Sequence, residues 1–386
     1  MTKDKIYDVC VIGAGPAGCR ISEILSNRGI SVLVLEKKKR VGIPVQCGEG
    51  VSFTFFNRLN MPQEVVKKEL KGSKIIMPNG SSIVFPRKGF SIRRNLFDQI
   101  LFERSVKAGA DIYLETPVVD LKWKLKFWEI YSNYKVFRAK FLVGADGPLS
   151  VVRRILARVN YYIKMRSLFA MEYKYFNDNF SSDYFIFYNR KEYYPGYAWI
   201  FDRGDEVSVG LGRVYNVKDE LDKFVKDRGF INFKRKNIIG GFIPSPSHPP
   251  VVTFKNGIFI GDAGGFVHPI VKGGIIGAIF SAEKGAEVLL NAVKYRDDII
   301  YEFSEYVKEH ASRDPLHYFL VKSLPKLSNK SLEYFGNLLD NRYYKDFPLY
   351  KGIRLILKNF DIDIIKAIPL GILFQVLYSK SESLAW

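Results

Sequence analysis

Gly13, Gly15 and Gly18 stand at G-x-G-x-x-G spacing in Gly13-Ala14-Gly15-Pro16-Ala17-Gly18, and Glu36 is the eighteenth residue after the last of them. Those residue types at that spacing suit a dinucleotide. Gly13 permits a tight turn, Gly15 lets the backbone approach a pyrophosphate, and Gly18 lets a helix pack closely on a strand. The helix opened by Pro16 and Ala17 offers unpaired N–H groups to the anion, and Glu36 is placed to accept hydrogen bonds from ribose hydroxyls. The ladder alone does not separate FAD from NAD. Two later turns carry further acids. Asp146 ends the apolar run Phe141-Leu142-Val143-Gly144-Ala145-Asp146-Gly147, ahead of Ser150 and Arg153-Arg154. Asp262 follows Gly261 at the end of residues 257–262, and a Gly273-Gly274 pair then opens a helix at Ile275.

The elements that must position these residues follow from periodicity. Residues 7–12 read as a buried strand, 19–27 have helical spacing closed by Arg28-Gly29, and 30–35 form a second apolar strand. Residues 71–87 and 161–250 show strand-like alternation, as in Phe169-Ala170-Met171-Glu172-Tyr173-Lys174-Tyr175-Phe176, which predicts an antiparallel sheet. Tyr197 and Trp199, two residues apart, share one strand face; they either line a pocket or pack in a core. Residues from 299 onward read as helical, with an apolar, basic segment at 353–378 broken by Pro369-Leu370-Gly371. That segment either lies on a membrane surface, caps a substrate tunnel or packs on the nucleotide-binding domain, and packing is preferred.

Composition narrows the class. A chain of 386 residues, 47% of them hydrophobic, fits two interleaved or successive domains better than one and excludes a small disulfide module or wholesale disorder. Lys plus Arg number 59 against 40 Asp plus Glu, a net charge of +19 that favours anionic partners. Residues 121–166 hold eleven basic residues against Glu129 and Asp146 alone, yet no nucleic-acid-binding motif accompanies them, so no nucleic acid is expected. Cys10 and Cys19 read as small core residues, which leaves no disulfide or iron–sulfur framework, and four histidines without ligand spacing predict no metal site. No apolar run approaches the ~18 residues of a membrane span, and the amino terminus does not read as a signal peptide. The expected location is the cytoplasm, with peripheral contact at a membrane surface as the open alternative.

The set G-x-G-x-x-G…E, G-A-D-G-x-x-S-x-V-R-R and G-D-A-G-G-F-x-x-P resembles the flavoprotein superfamily of p-hydroxybenzoate hydroxylase. Two segments narrow the likeness: Pro44-Val45-Gln46-Cys47-Gly48-Glu49-Gly50, and Tyr194-Pro195-Gly196-Tyr197-Ala198-Trp199-Ile200-Phe201, which is similar to the G-Y-x-W-x-F signature of geranylgeranyl reductases. The resemblance implies an α/β fold: a Rossmann-type FAD-binding domain in three parts (1–64, 91–158, 252–298), an interleaved antiparallel substrate domain (65–90, 159–251) and a helical C-terminal region (299–386). It implies FAD as cofactor, with Asp262 holding the ribityl chain and the helix after Gly273-Gly274 aiming its positive end at the flavin. Arg94 corresponds to an arginine lying along the cofactor, with a surface arginine as the alternative. Val118 matches a position whose backbone meets the adenine, and Asp146, Lys37, Cys47, Gly48, Gly261 and Ile275 join the expected contacts. Two departures stand out: His268-Pro269 where relatives most often carry Asn-Pro, and Lys272 ahead of Gly273-Gly274, which adds a cation at the flavin's pyrimidine edge.

The activity implied is reduction of isoprenoid double bonds in a prenylated lipid or prenylquinone. Saturating an isolated alkene needs hydride at one carbon and a proton at the other, and the Cys47 thiol is expected to supply or relay that proton, with Tyr197 and Trp199 over the flavin. The competing readings are a halogenase, disfavoured by the missing tryptophan-rich G-W-x-W-x-I string, an aromatic monooxygenase, disfavoured because no nicotinamide-reading motif stands between the glycine ladder and the Asp-Gly turn, and a quinone-directed electron-transfer flavoprotein, disfavoured by dispersed cysteines. With a single dinucleotide fingerprint, electrons are expected from an acidic ferredoxin, NAD(P)H being the alternative donor.

Overall fold

Residues 6–12 bury side chains on both faces, the pattern of a strand covered on two sides, and Ile6–Ile12 is an inner strand of a mainly parallel sheet. The computed structural model describes residues 5–133, 135–159, 165–295, 297–338 and 342–343. The described chain divides into two units, the first from residues 5–45, 94–167 and 243–315, the second from 46–93, 168–242 and the described residues from 316 onward.

In the first unit the strand order is Thr253–Phe254, Gly257–Phe259, Val136–Gly144, Ile6–Ile12, Val32–Leu35 and Asp111–Tyr113. Register decides what this sheet presents. Ile12 lies opposite both Leu35 and Gly144, and Gly144 lies opposite Phe259, in parallel pairings. The carboxyl ends therefore line up, and the turns that begin at Gly13, Glu36, Ala145 and Ile260 leave one edge, where open parallel sheets bind ligands. One face packs Cys10, Ile12, Leu33 and Leu35 against Leu121, Trp128 and Ile130 of the hairpin Val118–Lys124 and Phe127–Ser132. Val11 faces the other way, toward Gly18 of the helix Pro16–Ser26. That helix packs in turn on Arg94–Lys107 and Ile275–Lys294.

In the second unit an eight-stranded sheet runs in the order Arg235–Pro244, Ser167–Phe176, Glu206–Arg213, Ala198–Asp202, Tyr184–Tyr188, Gly72–Ile76, Ser82–Phe85 and Arg342–Tyr343. Its middle pairings are antiparallel, whereas Tyr184–Tyr188 meets Gly72–Ile76 in parallel. Period-two alternation splits its side chains. Tyr173, Tyr175, Ala198, Ile200, Val207, Val209 and Leu211 pack under Leu221, Phe224 and Val225 of the helix Val217–Asp227. Glu172, Lys174, Trp199, Phe201, Glu206 and Ser208 alternate with them and are nevertheless buried. A smaller sheet joins Gly50–Ser52, Gly89–Ile92 and Val66–Leu70.

Of the region read as helical, Phe303–Tyr306, Pro315–Ser323 and Asn329–Leu338 are helices, and Arg342–Tyr343 is instead a short strand paired with Ser82–Phe85. The helix expected at 353–378 lies outside the described residues. No helix among the described residues is long and apolar enough to cross a membrane, and none of their His, Cys, Asp and Glu side chains form a group able to hold a metal.

Candidate active site

The three glycines of the ladder do different work. Gly13 has φ +100°, and a Cβ there would meet the Ala145 carbonyl oxygen at 2.5 Å; a Cβ on Gly18 would stand 1.9 Å from the Gly13 carbonyl oxygen. Protein closes both positions. At Gly15 nothing beyond its chain neighbours lies within 4 Å of where a Cβ would stand, so bare backbone borders open space. The helix Pro16–Ser26 starts there with Gly15 as an uncapped N-cap, Pro16 at its first turn and no acid to occupy its positive end. Glu36 turns inward and accepts the N–H of Ala14 at 2.7 Å and of Lys38 at 2.8 Å, one on each oxygen. Each oxygen keeps capacity for a ribose hydroxyl. Lys37 is exposed on the same turn.

Two further carboxylates stand at the same sheet edge. Asp146 accepts the Val152 N–H at 3.0 Å on Oδ2, while its buried Oδ1 has no protein partner. Burial pushes this carboxyl up. Asp262 lies in the turn Gly261–Gly264, where burial raises it to about 6 against the opposing charge of Arg94. Arg94 itself grips Asp98 through two bonds of 2.8 and 3.0 Å. Gly261 has φ +55° and donates its N–H to Ser281 Oγ at 2.9 Å, which ties the turn to the helix Ile275–Lys294. That helix begins, uncapped and without an acid in its first turn, at Gly274, whose Cβ would lie 3.0 Å from Asp262 Oδ1. The space around a Cβ on Gly273 is open, Ile275 is buried, and Val118 is buried where its strand begins. Two bare helix ends, a backbone cradle at Gly15 and an unpartnered buried carboxylate oxygen fit FAD, with its pyrophosphate, carbonyl oxygens and hydroxyls.

Lys272 precedes this helix with φ +58°. It is buried, and its ammonium donates to the Pro269 carbonyl at 2.6 Å and to Ser245 Oγ at 3.0 Å. Burial lowers it to about 7.

Cys47, Gly48, Tyr197 and Trp199 belong together in the second unit. Cys47 is half-buried, and its sulfur accepts the Glu49 N–H at 3.2 Å. A Cβ on Gly48 would meet the Phe201 ring at 3.0 Å, so glycine lets this loop lie flat on the strand Ala198–Asp202. Burial and the neighbouring Cys47 push the Tyr197 hydroxyl up. Tyr197 and Trp199 meet edge to face at 6.0 Å, with Phe187 5.2 Å from Tyr197. The Trp199 indole donates to Glu172 Oε2 at 3.0 Å, and Gly210 opposite leaves room for its ring, since a Cβ there would stand 2.1 Å away. Burial raises the Glu172 carboxyl.

Residues 6–44 match a family model described as an FAD binding domain. A digeranylgeranylglycerophospholipid reductase of Methanosarcina acetivorans is 30% identical over 383 residues, covering 92% of this chain and 93% of its own. The chain belongs to the geranylgeranyl reductase family. It is an FAD-dependent oxidoreductase of that type. A second reductase of the same name, from Thermoplasma acidophilum, is 27% identical over 92% of this chain and 96% of its own. Among solved structures, a geranylgeranyl bacteriochlorophyll reductase-like protein from Thermoplasma acidophilum shares the fold with a TM-score of 0.82 at 24% identity, over 95% of this chain and 99% of that one. The flavin-dependent brominase Bmp2 shares it with a TM-score of 0.72 at 18% identity, over 98% of this chain and all of that one.

Several side chains organise the site in this reductase through contacts that the sequence does not display. Arg153, one of the Arg153-Arg154 pair, clamps the Gly261–Gly264 turn through the carbonyl oxygens of Ala263 and Val251, the latter at 2.8 Å. Arg313 has no motif around it in the sequence, yet it donates to the carbonyls of Gly264 at 2.7 Å and Pro250 at 2.5 Å. In the second unit Glu172, Lys174, Arg203 and Glu206 form a buried charged group. The inward Glu172 and Lys174 in an aromatic strand are the one hint the sequence offers.

Proposed function

We propose that this reductase saturates isoprenoid double bonds in a prenylated glycerophospholipid, the substrate class for which its curated relatives are named. Reduced FAD, when bound, supplies the hydride. Cys47 gives its S–H proton to the second carbon, so that the π bond of each C=C is replaced by two new C–H bonds on a C–C single bond, and the thiolate left behind is reprotonated from water. Tyr197, half-buried beside Cys47, offers an aromatic face suited to an isoprenoid chain, and Trp199, buried behind it, is held by the 3.0 Å bond of its indole to Glu172. Gly13, Gly15, Gly18, Glu36, Asp146 and Asp262 hold the cofactor. The observation that carries the reading is the Cys47 sulfur, half-buried, next to Tyr197 and under the Glu49 N–H, a donor that stabilises the thiolate once the proton has gone.

The electron donor we assign is an acidic ferredoxin. The hairpin Val118–Lys124 and Phe127–Ser132 with the strand Val136–Gly144 carries Lys122, Lys124, Lys126, Lys135, Arg138 and Lys140, a cationic surface that steers an acidic partner. The function is tested by incubating the yellow protein with an unsaturated digeranylgeranylglycerophospholipid and dithionite. Mass increments of two hydrogen atoms per double bond are expected, and an unchanged lipid mass would overturn the proposal.

A further inference from the structure

Glu49 occupies the left-handed region at φ +62°, a conformation a non-glycine residue keeps only where its surroundings hold it. Three contacts do so. Its carbonyl accepts the Ile92 N–H at 2.8 Å, and its carboxylate meets both Lys174 and the Arg203 guanidinium, the latter at 2.8 Å. The result of this pose is that the Glu49 N–H turns back onto the Cys47 sulfur. Arg203 is the common anchor. Its side chain is 2% exposed; besides Glu49, it donates to the Ile92 carbonyl at 3.1 Å, reaches the Gly48 carbonyl at 3.5 Å and pairs with Glu206 at 2.9 Å.

We infer that Arg203 is a positioning residue for the proton donor: it clamps Gly48, Glu49 and Ile92 so that the Glu49 N–H stays on the Cys47 sulfur. The inference rests on the reading of Cys47 as proton donor. The clamp makes chemical sense because an N–H aimed at sulfur favours the thiolate, and thiolate stability sets how readily the thiol gives up its proton. A lysine at 203 keeps the charge and loses the fork of donors that reaches two carbonyls and two carboxylates together.

The charged and titratable groups around the loop are Glu49, Glu172, Lys174, Arg203, Glu206, Lys67, Lys236 and Tyr197. Glu206 is held strongly ionised: burial opposes its charge, and Lys236, Lys67 and Arg203 outweigh burial. The Arg203–Glu206 pair therefore stays charged through the neutral range, so the clamp itself does not titrate across the assay.

The test is iodoacetamide alkylation of the full-length, FAD-loaded protein across pH, read by mass. Cys10 and Cys19 are buried, 0% and 1% exposed, so alkylation reports on Cys47. Arg203→Lys is expected to raise the midpoint by about one unit, which slows alkylation about tenfold below the midpoint, and to slow turnover with it. Glu49→Gly, which accepts φ +62° without strain but has no carboxylate to anchor, is expected to do the same and serves if Arg203→Lys does not fold. Wild-type alkylation profiles in both variants would overturn the inference. If Cys47→Ala turns over normally while Arg203→Lys still shifts alkylation, the clamp stands and the proton-donor reading fails. If Cys47→Ala is slow while Arg203→Lys leaves alkylation unshifted, Cys47 remains the proton donor and the clamp is overturned.

Discussion

Gly15 and Gly18 sit three residues apart in one motif, and the structure assigns them opposite sensitivities. Replacing Gly18 by alanine puts a Cβ 1.9 Å from the Gly13 carbonyl oxygen, a backbone atom with no freedom to swing aside. Contact needs more than ~3 Å, so the helix Pro16–Ser26 must lift off the strand Ile6–Ile12 by over an ångström. Overpacking of this kind costs ~1–3 kcal/mol, and a rigid backbone neighbour argues for the upper end. For a domain of ~200 residues, about 3 kcal/mol corresponds to a melting point lower by about 6–12 °C. Gly15→Val is different. Gly15 has φ −72° and ψ −178°, which any residue adopts, and its Cβ meets no protein. The side chain would instead fill the space over the helix end. Losing two charge-assisted bonds to a pyrophosphate, at ~1.5 kcal/mol or more each, weakens FAD by at least ~100-fold. The assay pairs the flavin absorbance of the isolated protein with circular dichroism and thermal melting. Gly15→Val should be folded and colourless; Gly18→Ala should melt early even with excess FAD. A Gly15→Val protein with a full flavin spectrum, or a Gly18→Ala protein melting with the wild type, refutes the reasoning.

Cys47→Ala should keep its FAD and photoreduce normally while alkene saturation slows by ~100 to 10,000-fold; unchanged turnover would make Cys47 a loop residue. For Lys272, burial lowers the ammonium to about 7 from an ordinary 10.5. Between those values the unfolded chain binds the extra proton, so this group makes stability rise with pH from about 7 upward. Lys272→Met should melt higher than wild type below about pH 7 and lose that part of the rise, and parallel melting curves across about pH 6–10 would contradict the assignment. Finally, flavin bleaching by reduced ferredoxin in stopped flow should slow steeply as salt passes ~0.1 M, where screening reaches about 10 Å. Lys122, Lys124 and Lys126 all replaced by Glu should slow it further. Rapid, saturable, salt-independent bleaching by NADPH would point to nicotinamide docking instead.

The candidate cofactor cradle is legible in the sequence because its parts are local. Gly13, Gly15 and Gly18 fall within one strand–turn–helix unit, Glu36 ends the next strand, and Asp146 and Asp262 each close an apolar run, so periodicity and turn chemistry expose them without knowledge of the fold. The pairing of Ile12 with Leu35 and Gly144, which brings those turns to one edge, is not local. Strand register is chosen by packing across many residues, and no single segment encodes it. Alternation likewise tells which residues of 169–176 share a face, but not which of the two faces is covered. Only the tertiary structure decides which face meets water. Here Trp199, Phe201 and the loop at Gly48–Glu49 cover the charged face, and burying those charges is tolerable because Glu49, Glu172 and Glu206 meet Lys174, Arg203, Lys67 and Lys236. Arg203 and Arg313 act through carbonyl oxygens supplied by distant segments, and a backbone carbonyl has no residue type to betray it.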